Sequence, residues 1–268
     1  MKTQLLNIKK YFFLYCAFAR ASFIADLEYR ANFLLRVITD IFWYMAQILT
    51  FEVLYRQTNI IGHWTLEQTR VFLGVLFVVD ALYMILLQDN LERFSDKVRK
   101  GDLDLLLVKP VTSQFMVSFQ RLGTANIGNL LIAVGWLGWS LSQLSDFSWL
   151  RLLWLIVMIP NGFLVFYAFR FAFAATSVIF TRAENLQFVW YNIYKLGTRP
   201  DSIYFPWMKY LVLTIIPVGL IASVPARTIL DPPDFGMIAW ALFFGPFLVF
   251  LTVKYWKFCL KYYTSASS

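Results

Sequence analysis

The sequence predicts an all-α integral membrane protein, with six transmembrane helices after an interfacial helix and both termini cytoplasmic. Three observations carry that expectation. Of 268 residues, 59% are hydrophobic and 15% charged, against about 45–50% and about 25% in a soluble domain. Aromatic side chains make up 19%, ten of them Trp, and such rings gather where a bilayer meets water. The apolar residues also fall in runs near the ~20 that a spanning helix needs. No ten-residue alternation suggests a membrane barrel.

The opening, MKTQLLNIKKYFFLYCAFARA, has a basic start, a short apolar run and an Ala17-Phe18-Ala19 pattern resembling a signal-peptidase site. Cleavage there would export Arg20, Arg30 and Arg36, against the charge rule. The preferred reading is an interfacial helix over about 1–25. Leu5, Ile8, Phe12, Tyr15 and Ala19 fall at three-to-four spacing on it, although Phe13, Leu14 and Phe18 blur the opposite side. Spans are expected at about 33–55, 71–87, 115–141, 149–180, 208–224 and 235–255, with residues 1–268 forming one membrane domain. Pro160 gives the long fourth stretch a place to break. Pro217 in the fifth needs neighbouring helices to satisfy the backbone it frees.

Orientation follows from Lys and Arg. With the N-terminus inside, one side receives Lys2, Lys9, Lys10, Arg20, Arg30, Arg93, Lys97, Arg99, Lys100 and Lys109. Arg182, Lys195, Arg199, Lys209, Lys254, Lys257 and Lys261 join them, and the other side keeps Arg56, Arg70, Arg151 and Arg227. Basic loops stay cytoplasmic. The net charge of +8 is thus dispersed between spans, so it reads as topology and not as a nucleic-acid surface. Cys16 and Cys259 are too few for a disulfide framework and fall on the reducing side. His63, the single histidine, argues against a His-based metal site.

No GxxxxGK phosphate loop, HExxH or GxSxG occurs, so ATP binding by that loop and the common hydrolase chemistries are not expected. No catalytic residue is assigned. Energy for any transport must come from a partner or an ion gradient. Charges inside spans cost roughly 2.5–3.5 kcal/mol each on insertion scales. Arg36 with Asp40, and Glu52 with Arg56, sit four apart and are expected to pair within one helix. Asp80 lies near the middle of the second span with no basic residue within a turn. Arg170 is its candidate partner, and a structural pair and a substrate or proton site both stay open.

Between the second and third spans, residues 89–114 form the largest inner loop. DNLERFSDKVRKG reads as a short helix, with Asp89 or Asn90 capping its start and Glu92 near the positive dipole end. Arg99 and Lys100 suit its other end, and Gly101 stops it. Leu91, Phe94 and Val98 line one face, while Arg93, Asp96, Lys97 and Lys100 occupy the rest. DLDLLLV follows and Pro110 ends it. A helix dipping into the bilayer edge and a helix docking on a partner produce the same pattern.

Several motifs point further. Tyr29–Leu34 precedes the first span and Gly62–Thr65 follows it. Arg99–Val111 gives RKGDLDLLLVKPV, and Arg199–Pro206 is followed by Ile216–Val218 and Val224–Ala226. In this order they make the chain resemble, over nearly its full length, the membrane permease of a bacterial type-2 ATP-binding-cassette exporter. The likeness is greatest to the small-permease branch related to antibiotic-export permeases. His63 stands where the Gly-Trp element has glycine, a departure that bears on the outer loop's conformation.

The resemblance implies a six-span subunit in the bacterial cytoplasmic membrane. A second permease, identical or related, would complete the membrane part, and two ATPase subunits would hold the ATP and Mg. Asn90–Lys100 carries over as the coupling helix, with Leu91, Glu92, Arg93, Phe94, Lys97, Val98, Arg99 and Lys100 at the ATPase and Gly101, Asp102 and Asp104 following. The cargo expected is amphipathic, drug-like, lipid-linked or glycan. The alternative is an ion-driven secondary transporter using Asp80, although no clear internal repeat supports it.

Overall fold

The computed structural model describes residues 2–28, 30–180 and 184–264. Among these, no strand forms beyond an isolated bridge between Ile61 and Trp64. Helix α1 spans Lys2–Glu28, α2 Arg30–Tyr55 and α3 Leu66–Tyr83. A wide π turn, Met84–Gln88, carries α3 into α4 (Asp89–Leu91) and α5 (Phe94–Lys100). Next come α6 (Asp102–Leu107), α7 (Ser113–Phe119), α8 (Ile127–Ser142) and α9 (Trp149–Thr176). The rest is α10 (Glu184–Gly197), α11 (Pro206–Tyr210), α12 (Ser223–Leu230) and α13 (Phe235–Lys261). Four helical stretches are long and apolar enough to cross a membrane: Val37–Tyr55, Leu66–Lys100, Trp149–Thr176 and Phe235–Lys261. They correspond to the first, second, fourth and sixth expected spans.

Helix α3 is the axis of the bundle. Its residues from Val71 to Ala81 are all buried, beneath α2, α8, α9 and α12, which explains an apolar run without a polar face. Thr65 and Gln68 close its start reciprocally, an arrangement worth about 1 kcal/mol. Pro160 does not break α9, which stays helical for 28 residues, about 42 Å at 1.5 Å per residue. Helix α13 lies along it, and Asn161 Nδ2 donates to the Ala241 carbonyl at 2.9 Å.

The third expected span is not one helix. It divides into α7, a turn at Gly123, a short 3₁₀ segment Thr124–Asn126, and α8. The division falls where the chain meets the π turn, whose widened geometry leaves carbonyls without an ordinary helical partner. Gly123 N donates to the Ile85 carbonyl at 2.8 Å, and Asn126 Nδ2 to that of Met84 at 3.2 Å. Each irregular segment satisfies the other.

The fifth expected span, 208–224, is corrected more deeply. After α11 and a π turn at Leu211–Ile215, the chain bends at Ile216 and Pro217, then forms α12. The Ile221 carbonyl sits against Gly162 in mid-α9, where no side chain would fit. The second half of this run, 217–224, is therefore buried in protein, whereas Tyr210 and Ile215 of the first half stay exposed. Gly62, in the turn between α2 and α3, has the Ser202 carbonyl where its Cβ would stand, so residues just after α10 lie at that turn's end of the bundle. Lys195, Arg199 and Lys209 are thus removed from the N-terminal side, while Arg182 lies outside the described residues. Asp201, 1% exposed, anchors this run through Arg227 Nη2 at 2.6 Å and Lys209 Nζ at 3.6 Å.

The other end gathers α1, α4 to α7 and the C-terminal part of α13. Lys10 Nζ donates to the Pro110 carbonyl at 2.6 Å, and Thr112 N to Tyr11 Oη at 3.0 Å. Further along α1, Leu122 N donates to Ser22 Oγ at 3.0 Å, and Thr124 Oγ1 to Asp26 Oδ2 at 2.6 Å. Trp256 Nε1 donates to Ser113 Oγ at 2.9 Å. The face of α1 turned inward is Tyr11, Tyr15, Phe18, Ser22 and Asp26. That differs from the stripe expected from spacing, because Phe12 is 64% exposed.

Candidate functional site

Helices α2, α3, α9 and α10 surround a cavity of about 630 Å³, with side chains of the π turn and Glu92 at its edge. Asp40 and Trp43 come from α2, Asp80 and Tyr83 from α3, Arg170 from α9, and Trp190 and Tyr194 from α10. Asp80 is 5% exposed and Arg170 2%. Both expected intramembrane charges line the same space, yet they do not pair. Tyr194 donates its hydroxyl to Asp80 Oδ1. Arg170 Nε donates to Tyr83 Oη at 2.7 Å, and its Nη2 lies 3.6 Å from Glu92 Oε1. Tyr83, three residues beyond Asp80 on the same helical face, accepts from the guanidinium and donates its own hydroxyl to Glu92 Oε1 at 3.3 Å. Arg170 also lies over the Tyr83 ring, 5.8 Å from its centre.

The in-helix pairings fare differently. Asp40 Oδ2 accepts from Asn129 Nδ2 at 2.6 Å, a partner on α8, while the side chain of Arg36 lies outside the described residues. Glu52 is turned from Arg56 to Arg70 of α3, whose Nε donates to it at 2.7 Å. The second contact joins two helices where spacing along one helix suggested a local pair.

The expected docking helix is the continuation of α3. Asp89 and Asn90 do not cap it, since both have helical neighbours. Asn90, fully buried, instead donates to the Arg121 carbonyl at 2.6 Å and accepts from Arg121 N at 2.9 Å. The Arg121 guanidinium lies 3.5 Å from both Asp26 and Asp89. Arg121 is thus a hub between α1, α4 and the turn before α8. Gly101 does stop the helix, with φ +79°.

Leu91, Phe94 and Val98 face the protein's own core, Phe94 against the Trp256 ring at 5.9 Å. Glu92, Arg93, Arg99, Lys100 and Asp102 are exposed, while Lys97, Gly101 and Asp104 are half-buried. Leu105 and Val108 of the following turn are 65% and 80% exposed. Sequence reasoning missed Tyr83, Tyr194 and Arg121. A charge and a glycine at Arg121-Leu122-Gly123, inside an apparent span, were the signal for the last; nothing marked the two tyrosines among fourteen.

Membrane-length helices, and a cavity between them lined by acids, one guanidinium and aromatic rings, define a multi-pass membrane protein. Residues 41–267 match the family described as ABC-2 family transporter protein. The chain belongs to that family, whose members are transport membrane subunits that work with an ABC ATPase and are not themselves ATPases. Neither the curated proteins nor the solved structures contain a match.

Proposed function

We propose that this chain is the permease of an ATP-driven exporter in a bacterial cytoplasmic membrane, coupled to its ATPase through Asn90–Lys100 and the turn beyond. One observation carries the reading. A single helical path, Leu66–Lys100, holds Asp80 and Tyr83 at the cavity, passes Glu92 beside Arg170, and ends in exposed basic residues at Gly101. Displacing its basic end would move the residues that line the cavity. The docking surface is then Arg93, Lys100 and the exposed Leu105 and Val108, with Leu91, Phe94 and Val98 holding the segment to its own bundle.

The end carrying α1, α5 and the C-terminal part of α13 is assigned to the cytoplasm. Lys9, Lys10, Arg93, Arg99, Lys100, Lys109, Lys254, Lys257 and Lys261 gather there, in line with the bias of cytoplasmic loops. Six crossings follow: α2, α3, α8 with α7, α9, α10 and α13. A second permease, identical or related, would complete the pathway, and the ATP and Mg would belong to two ATPase subunits. The cargo classes remain amphipathic, drug-like, lipid-linked or glycan.

Affinity purification in mild detergent tests the reading. An ATPase is expected to come with the chain, and substituting Arg93→Glu with Lys100→Glu should weaken that association about tenfold or more while membrane insertion is unchanged. Purification free of any ATPase even after crosslinking would refute the reading. Unchanged association in the double variant would refute the docking surface.

A further inference from the structure

We propose that the cavity between α2, α3, α9 and α10 binds an organic cation that also carries a hydrogen-bond acceptor. As a statement about cargo this rests on the exporter reading above; the site itself stands on four observations. Asp80 is 5% exposed and bonds only to the neutral Tyr194 hydroxyl, with no basic partner among the described residues. Glu92 lies beside Arg170, and Asp40 accepts from Asn129. The buried carboxylate of Asp80 is therefore the one a bound cation would compensate, since a charge taken from water needs a counter-charge.

Arg170 supplies the second observation. Its Nε and Nη2 are engaged, but Nη1 is buried without a partner. It offers a donor to a carbonyl, ester or phosphate oxygen on the same ligand. Third, Trp190 and Tyr194 stack at 5.7 Å, and Trp43 lines the same cavity, providing aromatic faces that attract ammonium groups. Fourth, the cavity is not enclosed, so an apolar tail can remain outside while the head enters. Its volume, about 630 Å³, lies within the roughly 300–1,000 Å³ usual for small-molecule sites.

The test uses the full chain, with any co-purifying ATPase, in lipid nanodiscs. Binding of radiolabelled tetraphenylphosphonium is challenged with three probes of equal chain length below their micellar concentrations: decanoylcholine, decyltrimethylammonium and decyl sulfate. Both cations should displace, decanoylcholine best because its ester can accept from Arg170, and decyl sulfate should not. Asp80→Asn should weaken cation binding about tenfold or more, the scale of a lost charge-assisted contact, and Asp80→Glu should restore most of it. Should Asp80→Asn fail to fold, Trp43→Ala decides, because it leaves the Asp80–Tyr194 bond alone and should still weaken cations several-fold.

Equal displacement by decyl sulfate overturns the proposal, as does unchanged binding in Asp80→Asn or, failing that variant, in Trp43→Ala. A chain that holds its ATPase but shows no cation selectivity overturns the proposal and not the exporter reading. Cation-selective binding without an ATPase has the opposite meaning.

Discussion

Replacing Asn90 by Ala isolates the joint between the central helix and the rest of the end that carries α1. The Asn90 side chain makes two bonds to the backbone of Arg121, at 2.6 and 2.9 Å, and is fully buried. Alanine leaves the Arg121 N–H and carbonyl without these partners, and each buried group left unmet costs about 1–3 kcal/mol. The Arg121 side chain is 45% exposed, so water reaches part of this turn and the lower half applies, about 2–4 kcal/mol in all. For a chain of this size that corresponds to a melting temperature lower by on the order of 10 °C. Heating the detergent-solubilised protein and following its monodisperse peak by size-exclusion chromatography measures it. A change within about 2 °C would show that Asn90 does not clamp Arg121.

Other expectations follow from the same coordinates. With single cysteines in a background lacking Cys16 and Cys259, an impermeant thiol reagent should label Ile203→Cys, an exposed position, from the same side as Thr58→Cys and the opposite side from Lys261→Cys. Labelling of position 203 from the Lys261 side would refute α10 as a crossing. Glu52→Gln should lower thermal stability by about 0.5–1 kcal/mol, because its contact with Arg70 is partly screened, whereas Arg56→Ala should change nothing measurable; equal losses would restore the in-helix pair. Gly62→Ala should cost more than about 1–2 kcal/mol, since left-handed backbone strain adds to collision with the Ser202 carbonyl, and a melting curve like the wild type's would refute that contact.

Helical class, four long helices and the Gly101 stop were legible because each depends on local chemistry. The break in the fifth expected span was not. Hydropathy registers how apolar a run is and says nothing about what covers it, so 208–224 read as lipid-facing although its second half is buried against α9 at Gly162. Helix α10 escaped notice for the converse reason: Gln187, Tyr191 and Tyr194 face the cavity, which dilutes its apolarity. Asp80 and Arg170 were found because buried charge is conspicuous in any span, but their partners were hidden. Tyr83 and Tyr194 reach them through tertiary geometry that no spacing encodes. Asn90 was read as a cap because the helix was expected to begin there, whereas it runs through.

The π turn at Met84–Gln88 also sets where the chain's length can change. A wide turn contains one residue more than regular winding needs, so a single deletion within it can be absorbed by rewinding to α geometry. Rewinding would return the Ile85 and Met84 carbonyls to the helix, releasing Gly123 and Asn126, while Glu92, Arg93 and Lys100 kept nearly their present phase. The same deletion in the regular winding on either side would instead rotate everything downstream by about 100° and shift it by about 1.5 Å, turning Glu92 away from Arg170. The π turn is thus a place where the central helix can lose a residue, and with it its hold on Gly123 and Asn126, without losing its phase.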